Sequence, residues 1–329
     1  MQRSQRHRRK PRRLILIIIA ILLIIMGVRH FSSTSARLKS AWNKIIFTSN
    51  NNVSIAVYSP KTHQIYTSSN APQHKFRTAS TVKVSILAGI LAKQQSPLTS
   101  HQKSLATKMI EQSDNDSTSE LFEDYLGGKN GLQQTFEKFG MTQSQANSSW
   151  GLTVTTPKDQ VKLLNNIFYK SKVLSDDERS EIRDLMGNVE SDQAWGISAS
   201  SDNFALKNGW LNYGKDEWIV NSIGYVKNSN GTDYTIAVYT DKNQSMAAGQ
   251  QVIEQLARVT KPILDLLAWR NKFAAFDLDG SIEVETPTET TIKVTRKDKD
   301  GKNVAVLDAD AANKTFTITA NGEKVMEQK

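Results

Sequence analysis

The chain has 329 residues, of which 38% are hydrophobic and 23% charged, a balance typical of a globular protein with a full-sized core. It contains no cysteine, which excludes thiolate nucleophiles, cysteine-ligated zinc, disulfides and a lipid-modified N-terminal cysteine. The formal net charge is +9, but eight of the cations precede residue 30, so the remainder carries about +1 and does not indicate nucleic-acid binding.

Histidines and basic residues are unevenly distributed along the chain. All five histidines lie in the first third, and no two have the close helical spacing of a metal-binding pair, so we predict no metal site and no cofactor. The segment from Arg37 to Lys108 carries ten basic residues and no acidic one. Such a segment forms either a solvated surface or a face for anionic wall polymers or lipid headgroups.

The N-terminal region has the pattern of a membrane anchor. Residues 1–13 carry seven Lys/Arg, and residues 14–28 are apolar, dominated by Ile and Leu. Fifteen residues span about 22 Å of helix against a hydrocarbon core of about 30 Å, which fits a short anchor or a signal-peptide centre. We expect an uncleaved single-pass anchor with a cytoplasmic tail and an extracellular remainder. Cleavage near Thr34-Ser35-Ala36 and secretion is the alternative.

Residues 53–272 carry the pattern of one α+β domain after a Ser/Asn-rich linker at residues 29–52. A hairpin is predicted at Val53–Tyr58 and Gln64–Ser68, and further strands at Phe204–Lys207, Trp218–Val226 and Tyr234–Tyr239. Helices are predicted at 80–94, 103–112, 116–126, 130–139, 156–170, 176–188 and 245–272. We therefore expect an antiparallel sheet that gathers strands from both ends of the domain and packs against a helical block.

The C-terminal residues 273–329 change in composition to short Thr/Val/Ile runs separated by turn residues. This pattern predicts a small β-rich extension. An ordered module and a partly disordered tail are equally compatible with it. No catalytic constellation is visible in it.

Ser80 and Lys83 stand at the start of an apolar helix. A serine at a helix start lies where free backbone N–H groups favour an oxyanion, and a lysine three residues later falls on the same helix face. A desolvated lysine can accept the proton from the serine hydroxyl. The same spacing at Ser100 and Lys103 is interpreted as a helix-start surface position.

Two further polar triplets follow in the chain. Ser113-Asp114-Asn115 lies between two predicted helices, where the Ser113 hydroxyl can pass a proton to a leaving nitrogen and the Asn115 carboxamide can bind Lys83 and a substrate amide. A repeat of the triplet at Ser201-Asp202-Asn203 is interpreted as a turn before a strand.

Lys207-Asn208-Gly209 lies on a predicted strand and is followed by Trp210. Lys207 supplies a fixed cation for a substrate carboxylate, and Gly209, which lacks Cβ, lets substrate backbone approach the strand edge.

These three elements resemble the motifs S-x-x-K, S-D-N and K-[ST]-G of class A β-lactamases and related penicillin-binding serine peptidases. The resemblance covers roughly residues 50–272 and implies a β-lactamase/transpeptidase-like fold. It also implies acyl transfer in which Ser80 attacks a carbonyl, the backbone N–H groups of Ser80 and Trp210 hold the oxyanion, and water later releases the acyl group.

Three departures from the family pattern affect the expected activity. No Asp or Glu lies between Glu137 and Asp159, where the family has the glutamate that activates the deacylating water. The same loop and the interval from Ser80 to Ser113 are short. Asn208 replaces the usual hydroxyl, although an amide can still donate to a carboxylate.

The sequence therefore predicts an extracellular serine hydrolase, acylated at Ser80 by a β-lactam or a peptidoglycan-peptide-like amide and slow to deacylate. The alternative from another class is a non-catalytic envelope protein that keeps the fold and a binding cleft.

Overall fold

A computed structural model of the chain describes residues 34–215, 217–228 and 231–274, and, towards the C-terminus, residues 282–285, 287, 291–298, 300–310, 313, 315–320 and 322–328. The predicted basic tail and the predicted anchor, residues 1–28, lie outside this part. Among the described residues, no helix combines the length and apolar character needed to cross a membrane. The chain divides into two compact units, Met1–Leu267 and Ala268–Lys329.

The first unit is built on an antiparallel sheet of five strands. These are β1 (Asn52–Ser59), β2 (Gln64–Ser69), β5 (Phe204–Asn212), β6 (Trp218–Val226) and β7 (Tyr234–Asn243), in the order β2-β1-β7-β6-β5. The short strands β3 (Phe76–Arg77) and β4 (Val154–Thr155) pair separately. The predicted α+β fold is confirmed, since strands from both ends of the domain meet at the β1–β7 pair.

Helices pack on the sheet and form the predicted helical block. They are α1 (Thr34–Ile46), α2 (Val82–Gln94), α3 (Ser100–Glu111), α4 (Asn115–Glu120), α5 (Gly128–Lys138), α6 (Pro157–Phe168), α7 (Asp176–Gly187) and α8 (Met246–Ala274). A π-helical turn, Leu121–Leu126, follows α4. Helix α2 is buried from Val82 to Ala92. A helix that is apolar on all sides belongs in a core, and α2 holds the residues after Ser80 at the centre of the block.

Helix α1 lies in the segment assigned to a linker, and the structure corrects that assignment. Leu38, Trp42 and Ile46 recur every four residues and are fully buried. The indole Nε1 of Trp42 donates a hydrogen bond of 2.9 Å to Thr260 Oγ1 in α8. The Ser/Asn-rich composition hides an apolar stripe with helical spacing, and burial of that stripe stabilises the helix.

The second unit contains an antiparallel meander of five strands, in the order β12-β11-β10-β9-β8. The strands are β8 (Ile282–Glu285), β9 (Thr291–Lys297), β10 (Asn303–Asp310), β11 (Thr315–Ala320) and β12 (Glu323–Gln328). Each pairs with its neighbour in sequence, as short strands joined by tight turns do. The β-rich extension predicted at residues 273–329 corresponds to this sheet.

Both duplicate motifs occupy the surface positions that the sequence indicates. Ser100 is the exposed first residue of α3, and Lys103 pairs with Glu181 at 3.2 Å. Asn203 N donates to Ser201 Oγ at 3.2 Å in the turn before β5. Neither serine lines the cavity described below.

Candidate active site

Ser80 lies in a single 3₁₀ turn, Ala79–Thr81, that leads directly into α2. It is partly exposed and lines a cavity of about 550 Å³. Ala79 has a φ of +47°, a left-handed conformation that is costly for a residue with a Cβ. Such strain persists where the surroundings fix the backbone, which indicates that the turn at Ser80 is held by its neighbours.

Buried polar side chains fix this turn to the sheet. Thr81 Oγ1 bonds to Thr78 O and to the Tyr239 hydroxyl, both at 2.7 Å. Asn221 Nδ2 on β6 donates to Arg77 O at 2.9 Å and to Thr78 O at 3.2 Å. Sequence reasoning missed Asn221 and Tyr239, because neither belongs to a motif. They hold the turn Ala79–Thr81 in place without lining the cavity.

Lys83 is fully buried one helical turn after Ser80. Its Nζ lies 2.6 Å from Ser113 O, 3.1 Å from Ser113 Oγ and 2.9 Å from Asn115 Oδ1. Burial lowers the pKa of Lys83 to about 7, and the carboxylate of Asp114 partly offsets this shift. A substantial fraction of Lys83 is therefore neutral near pH 7 and able to accept a proton.

The Ser113-Asp114-Asn115 triplet forms the loop between α3 and α4. Ser113 has a φ of +60°, and both its carbonyl and hydroxyl oxygens lie near Lys83. Asp114 is the N-cap of α4 and accepts a hydrogen bond of 2.7 Å from Ser117 N. The side-chain oxygen of Asn115 accepts the hydrogen bond from Lys83, so its side-chain nitrogen is not part of that contact. Ser113 and Asn115 both line the cavity.

Lys207 on β5 is also fully buried. Within the described residues its Nζ makes one hydrogen bond, of 3.2 Å to Asn208 O. Burial and, to a smaller extent, the charge of Lys83 lower the pKa of Lys207 to about 7. An anionic group entering beside Lys207 would restore its charge, which fits a role in binding a substrate carboxylate.

Asn208 differs from the expectation drawn from its sequence position. Its side chain is fully buried, and Nδ2 donates to Gln193 O at 2.7 Å and to Trp195 O at 3.0 Å. The amide donors assigned to a substrate carboxylate are therefore used by backbone carbonyls inside the protein. These carbonyls belong to the 193–195 segment, whose position beside β5 is set by the tertiary fold and not by a local pattern in the sequence.

Gly209 lets β5 lie directly against the turn Ala79–Thr81. A Cβ at this position would lie 2.7 Å from Ser80 N and 2.8 Å from Thr81 N. The absence of a side chain therefore serves protein packing at Ser80 itself. The next residue, Trp210, lines the cavity, and β5 is an edge strand, so backbone N–H groups on its outer side are not used by the sheet.

The loop between α5 and α6 covers the opposite side of the cavity with Ser148, Ser149 and Trp150. The Trp150 ring centre lies 5.1 Å from Lys83 Nζ, and the indole Nε1 donates to Ser119 Oγ at 3.3 Å. No carboxylate comes from this loop.

Asp159, the first acid after the loop, is buried and bonds to residues at the start of the loop. It accepts hydrogen bonds from Gln143 N at 2.7 Å and Ser144 Oγ at 3.0 Å, and it pairs with Lys162 at 2.8 Å. Because its oxygens are bound to these groups, Asp159 does not face the cavity as a free base.

The sequence model of the beta-lactamase enzyme family matches residues 88–265. The chain belongs to the beta-lactamase enzyme family. The matched range includes Ser113, Asn115 and Lys207 and begins after Ser80 and Lys83, whose place in the site rests on the geometry above.

Solved structures confirm the fold of this beta-lactamase family member. A class A beta-lactamase from Bacteroides cellulosilyticus DSM 14838 superposes with a TM-score of 0.63 at 16% identity, covering 71% of this chain and 99% of that one. PBP-A superposes with a TM-score of 0.58 at 19% identity, covering 68% and 94%. A variant of PBP-A captured as an acyl-enzyme with penicillin G gives a TM-score of 0.57 at 19% identity, covering 68% and 95%.

A curated relative is similar over a shorter stretch. Sucrose phosphorylase of Streptococcus mutans serotype c (strain ATCC 700610 / UA159) is 38% identical over 84 residues. The match covers 25% of this chain and 18% of that protein. The chain thus spans under a fifth of the length of the curated relative it matches.

In this beta-lactamase family member the cavity brings together Ser80, Ser113, Asn115 and Trp210. Lys83 and Lys207 are fully buried and do not line it, and the buried amide of Asn208 is bonded to the carbonyls of Gln193 and Trp195. Glu123, in the π-helical turn, also lines the cavity and was missed, because its sequence neighbourhood is that of an ordinary helix.

Proposed function

We propose that the chain is a cell-envelope serine acyl-transfer enzyme, acylated at Ser80 and slow to release the acyl group to water. The observation that carries the proposal is the pair of hydrogen bonds from the fully buried Lys83 to Ser113, beneath the cavity that Ser80 lines. A buried lysine with a pKa near 7 is a general base suited to neutral pH.

Acylation follows from this arrangement. Neutral Lys83 takes the proton of Ser80 as Ser80 Oγ attacks the substrate carbonyl, and the backbone N–H groups of Ser80 and Trp210 stabilise the developing oxyanion. The hydrogen bond of 3.1 Å between Lys83 Nζ and Ser113 Oγ provides a route for the proton. Ser113 then donates its own proton to the leaving nitrogen, the carbon–nitrogen bond breaks, and Lys83 reprotonates Ser113.

Deacylation finds no base in the loop between α5 and α6, and the carboxylate that does line the cavity, Glu123, belongs to the π-helical turn and is exposed. The loop contributes serines and Trp150 to the cavity wall, and the carboxylate of Asp159 is hydrogen-bonded to Gln143 and Ser144. General-base assistance accelerates such steps by about 10²- to 10⁴-fold. The acyl-enzyme is therefore expected to persist unless the natural substrate brings its own nucleophile.

The proposed substrates are β-lactams or peptidoglycan-peptide-like amides that carry a carboxylate. Lys207 supports this class, because it is a buried lysine with one hydrogen bond within the described residues. The acyl-enzyme of a PBP-A variant with penicillin G shows that this fold accommodates a penicilloyl group in a related protein.

Location at the outer face of a cell membrane, through residues 14–28, is part of the proposal and rests on the sequence pattern alone. The full-length protein should sediment with membranes, and a protein that begins near residue 33 should be soluble. A protein that begins at Ser40 would also lack the buried Leu38 of α1, so loss of solubility could then result from poor folding. A secreted protein with its N-terminus at Arg37 would replace the anchor with a cleaved signal.

Covalent labelling tests the proposal. The protein is incubated with a fluorescent penicillin and, separately, with a fluorophosphonate, and intact mass is followed over time with peptide mapping. We expect one adduct per chain, on Ser80. Absence of an adduct with both reagents would favour the non-catalytic binding protein.

A further inference from the structure

Trp150 closes the side of Lys83 that faces the loop. Lys83 is fully buried, its polar contacts are taken by Ser113 and Asn115, and the Trp150 ring centre lies 5.1 Å from Nζ. This distance is within the range of a cation–π contact. In the described part of the chain, an apolar ring therefore stands where a water molecule would otherwise reach the lysine.

The indole is held by the same framework that holds the nucleophile. Trp150 begins a 3₁₀ turn, Trp150–Leu152, and Thr153 N donates to Trp150 O at 3.1 Å. Thr153 O in turn accepts a hydrogen bond of 2.8 Å from Thr78 N, just before Ser80. On the other side, the indole nitrogen is bonded to Ser119 on α4. Trp150 is thus tied to both the nucleophile turn and the loop that carries Ser113.

The ring affects where water can bind beside the ester. A buried water needs a polar site with two to four partners, and an aromatic face provides none of ordinary strength. The polar groups of the loop, Ser148 and Ser149, lie at the exposed part of the cavity. On the side of the loop, Lys83 therefore faces an aromatic ring that offers water no ordinary hydrogen-bond partner.

We propose that Trp150 is a positioning residue that shields Lys83 and the Ser80 ester from water, so that Lys83 serves acylation and not hydrolysis. This inference rests on the proposed acylation of Ser80. It attributes the long life of the acyl-enzyme to Trp150 as well as to the lack of a carboxylate in the loop.

Removing the ring should change the pH dependence of acylation as well as the lifetime of the adduct. The charged groups coupled to Lys83 are Asp114 at the start of α4 and Lys207 on β5, and Glu123 lines the cavity. Burial is the largest cause of the lowered pKa of Lys83. Loss of a cation–π contact would lower it further, by under about one pH unit at ordinary strength. Removal of the ring also admits water and so reduces the burial of Lys83, which is the larger effect. The pKa of Lys83, and with it the pH midpoint of acylation, should therefore rise.

The test compares the wild-type protein with Trp150→Phe, Trp150→Leu and Trp150→Ala. Stopped-flow acylation by a fluorescent penicillin gives the pH midpoint, and intact mass gives the lifetime of the adduct. Trp150→Phe should stay within about twofold of wild type, because a ring is retained. Trp150→Ala should release the acyl group at least about tenfold faster and acylate with a midpoint raised by about one pH unit.

Trp150→Leu keeps an apolar side chain that covers less of Lys83, so it should fall between the two and serves if Trp150→Ala does not fold. No adduct on wild-type Ser80 would overturn the proposed function and this inference with it. An adduct whose lifetime and pH midpoint are the same in wild type, Trp150→Leu and Trp150→Ala would overturn the inference alone.

Discussion

The two sides of the cleft differ in what they offer to a bound acyl group. On one side, Lys83 on α2 donates hydrogen bonds to Ser113 in the α3–α4 loop, and Gly209 of β5 lies against the backbone of Ser80. On the other side, the 148–152 loop presents serines and Trp150, and the acid behind it is bound in the loop's base. In the proposed mechanism, formation and hydrolysis of an acyl-enzyme use separate elements of this fold, so the groups for acylation can be present where a base for hydrolysis is not.

Replacement of the nucleophile should have the largest effect. Ser80→Ala is expected to abolish covalent labelling, because no other described serine combines a helix start with a buried lysine and the cavity. Ser100→Ala and Ser201→Ala, at the surface, are matched controls and should label as wild type does. Circular dichroism checks that the folds are equal. Labelling that survives in Ser80→Ala would place the nucleophile elsewhere.

Replacement of the base should come next. Lys83→Met keeps the length of the side chain and removes the amine, so acylation should slow by about 10²- to 10⁴-fold. In wild type at saturating penicillin, whose carboxylate keeps Lys207 charged, the acylation rate should rise about tenfold per pH unit and level off above about pH 7, because burial lowers the pKa of Lys83 to about 7 and only the neutral amine accepts a proton.

The charged neighbours that bear on this titration are Asp114, which opposes the shift, and Lys207, which repels Lys83. Stopped-flow labelling between pH 5 and pH 10 measures it. A rate that does not change across this range would contradict the role of Lys83 as the base.

A carboxylate added to the hydrolytic side should have a smaller effect of opposite sign. Ser149→Glu places an acid on the loop in the cavity wall and should shorten the life of the Ser80 adduct by about 10- to 100-fold, below the full value of a well-placed base. Gln145→Glu is the control, because it adds the same charge to the same loop at an exposed position outside the cavity. Equal lifetimes in the two variants would show that proximity to the cavity does not matter.

Asn208→Ser tests the smallest difference, between the expected and observed roles of this residue. The serine restores the family's hydroxyl but leaves the carbonyls of Gln193 and Trp195 without the amide that now bonds them. We expect a loss of about 1–3 kcal/mol in the free energy of unfolding, measured by chemical denaturation. Penicillin affinity should not improve. A tighter-binding variant of unchanged stability would restore the role drawn from the sequence.

Much of this architecture follows from local pattern. The alternation in β1 and β2 and the apolar run of α2 identify the sheet and the central helix, and the three polar triplets mark residues that the fold brings to one cleft. Helix α1 escaped because its composition is polar, although the spacing of Leu38, Trp42 and Ile46 carries a helical signal.

Long-range contacts account for the rest. The direction of Asn208 depends on the 193–195 segment, and the place of Trp150 above Lys83 depends on how the loop folds back on α4. Asn221 anchors Arg77 and Thr78 across 143 or more positions of sequence. The spacing of apolar residues along a sequence does not predict contacts between such distant positions.

The most direct test of the account is a single experiment in which equimolar and excess penicillin are mixed with the protein while free penicilloate and the Ser80 adduct are measured together. We expect nearly all of the protein to become acylated, with about one equivalent of penicillin consumed, followed by release that is orders of magnitude slower than acylation. Penicilloate that accumulates over many turnovers per second, with Ser80 largely free at steady state, would contradict it and show that the cleft contains an effective base for hydrolysis.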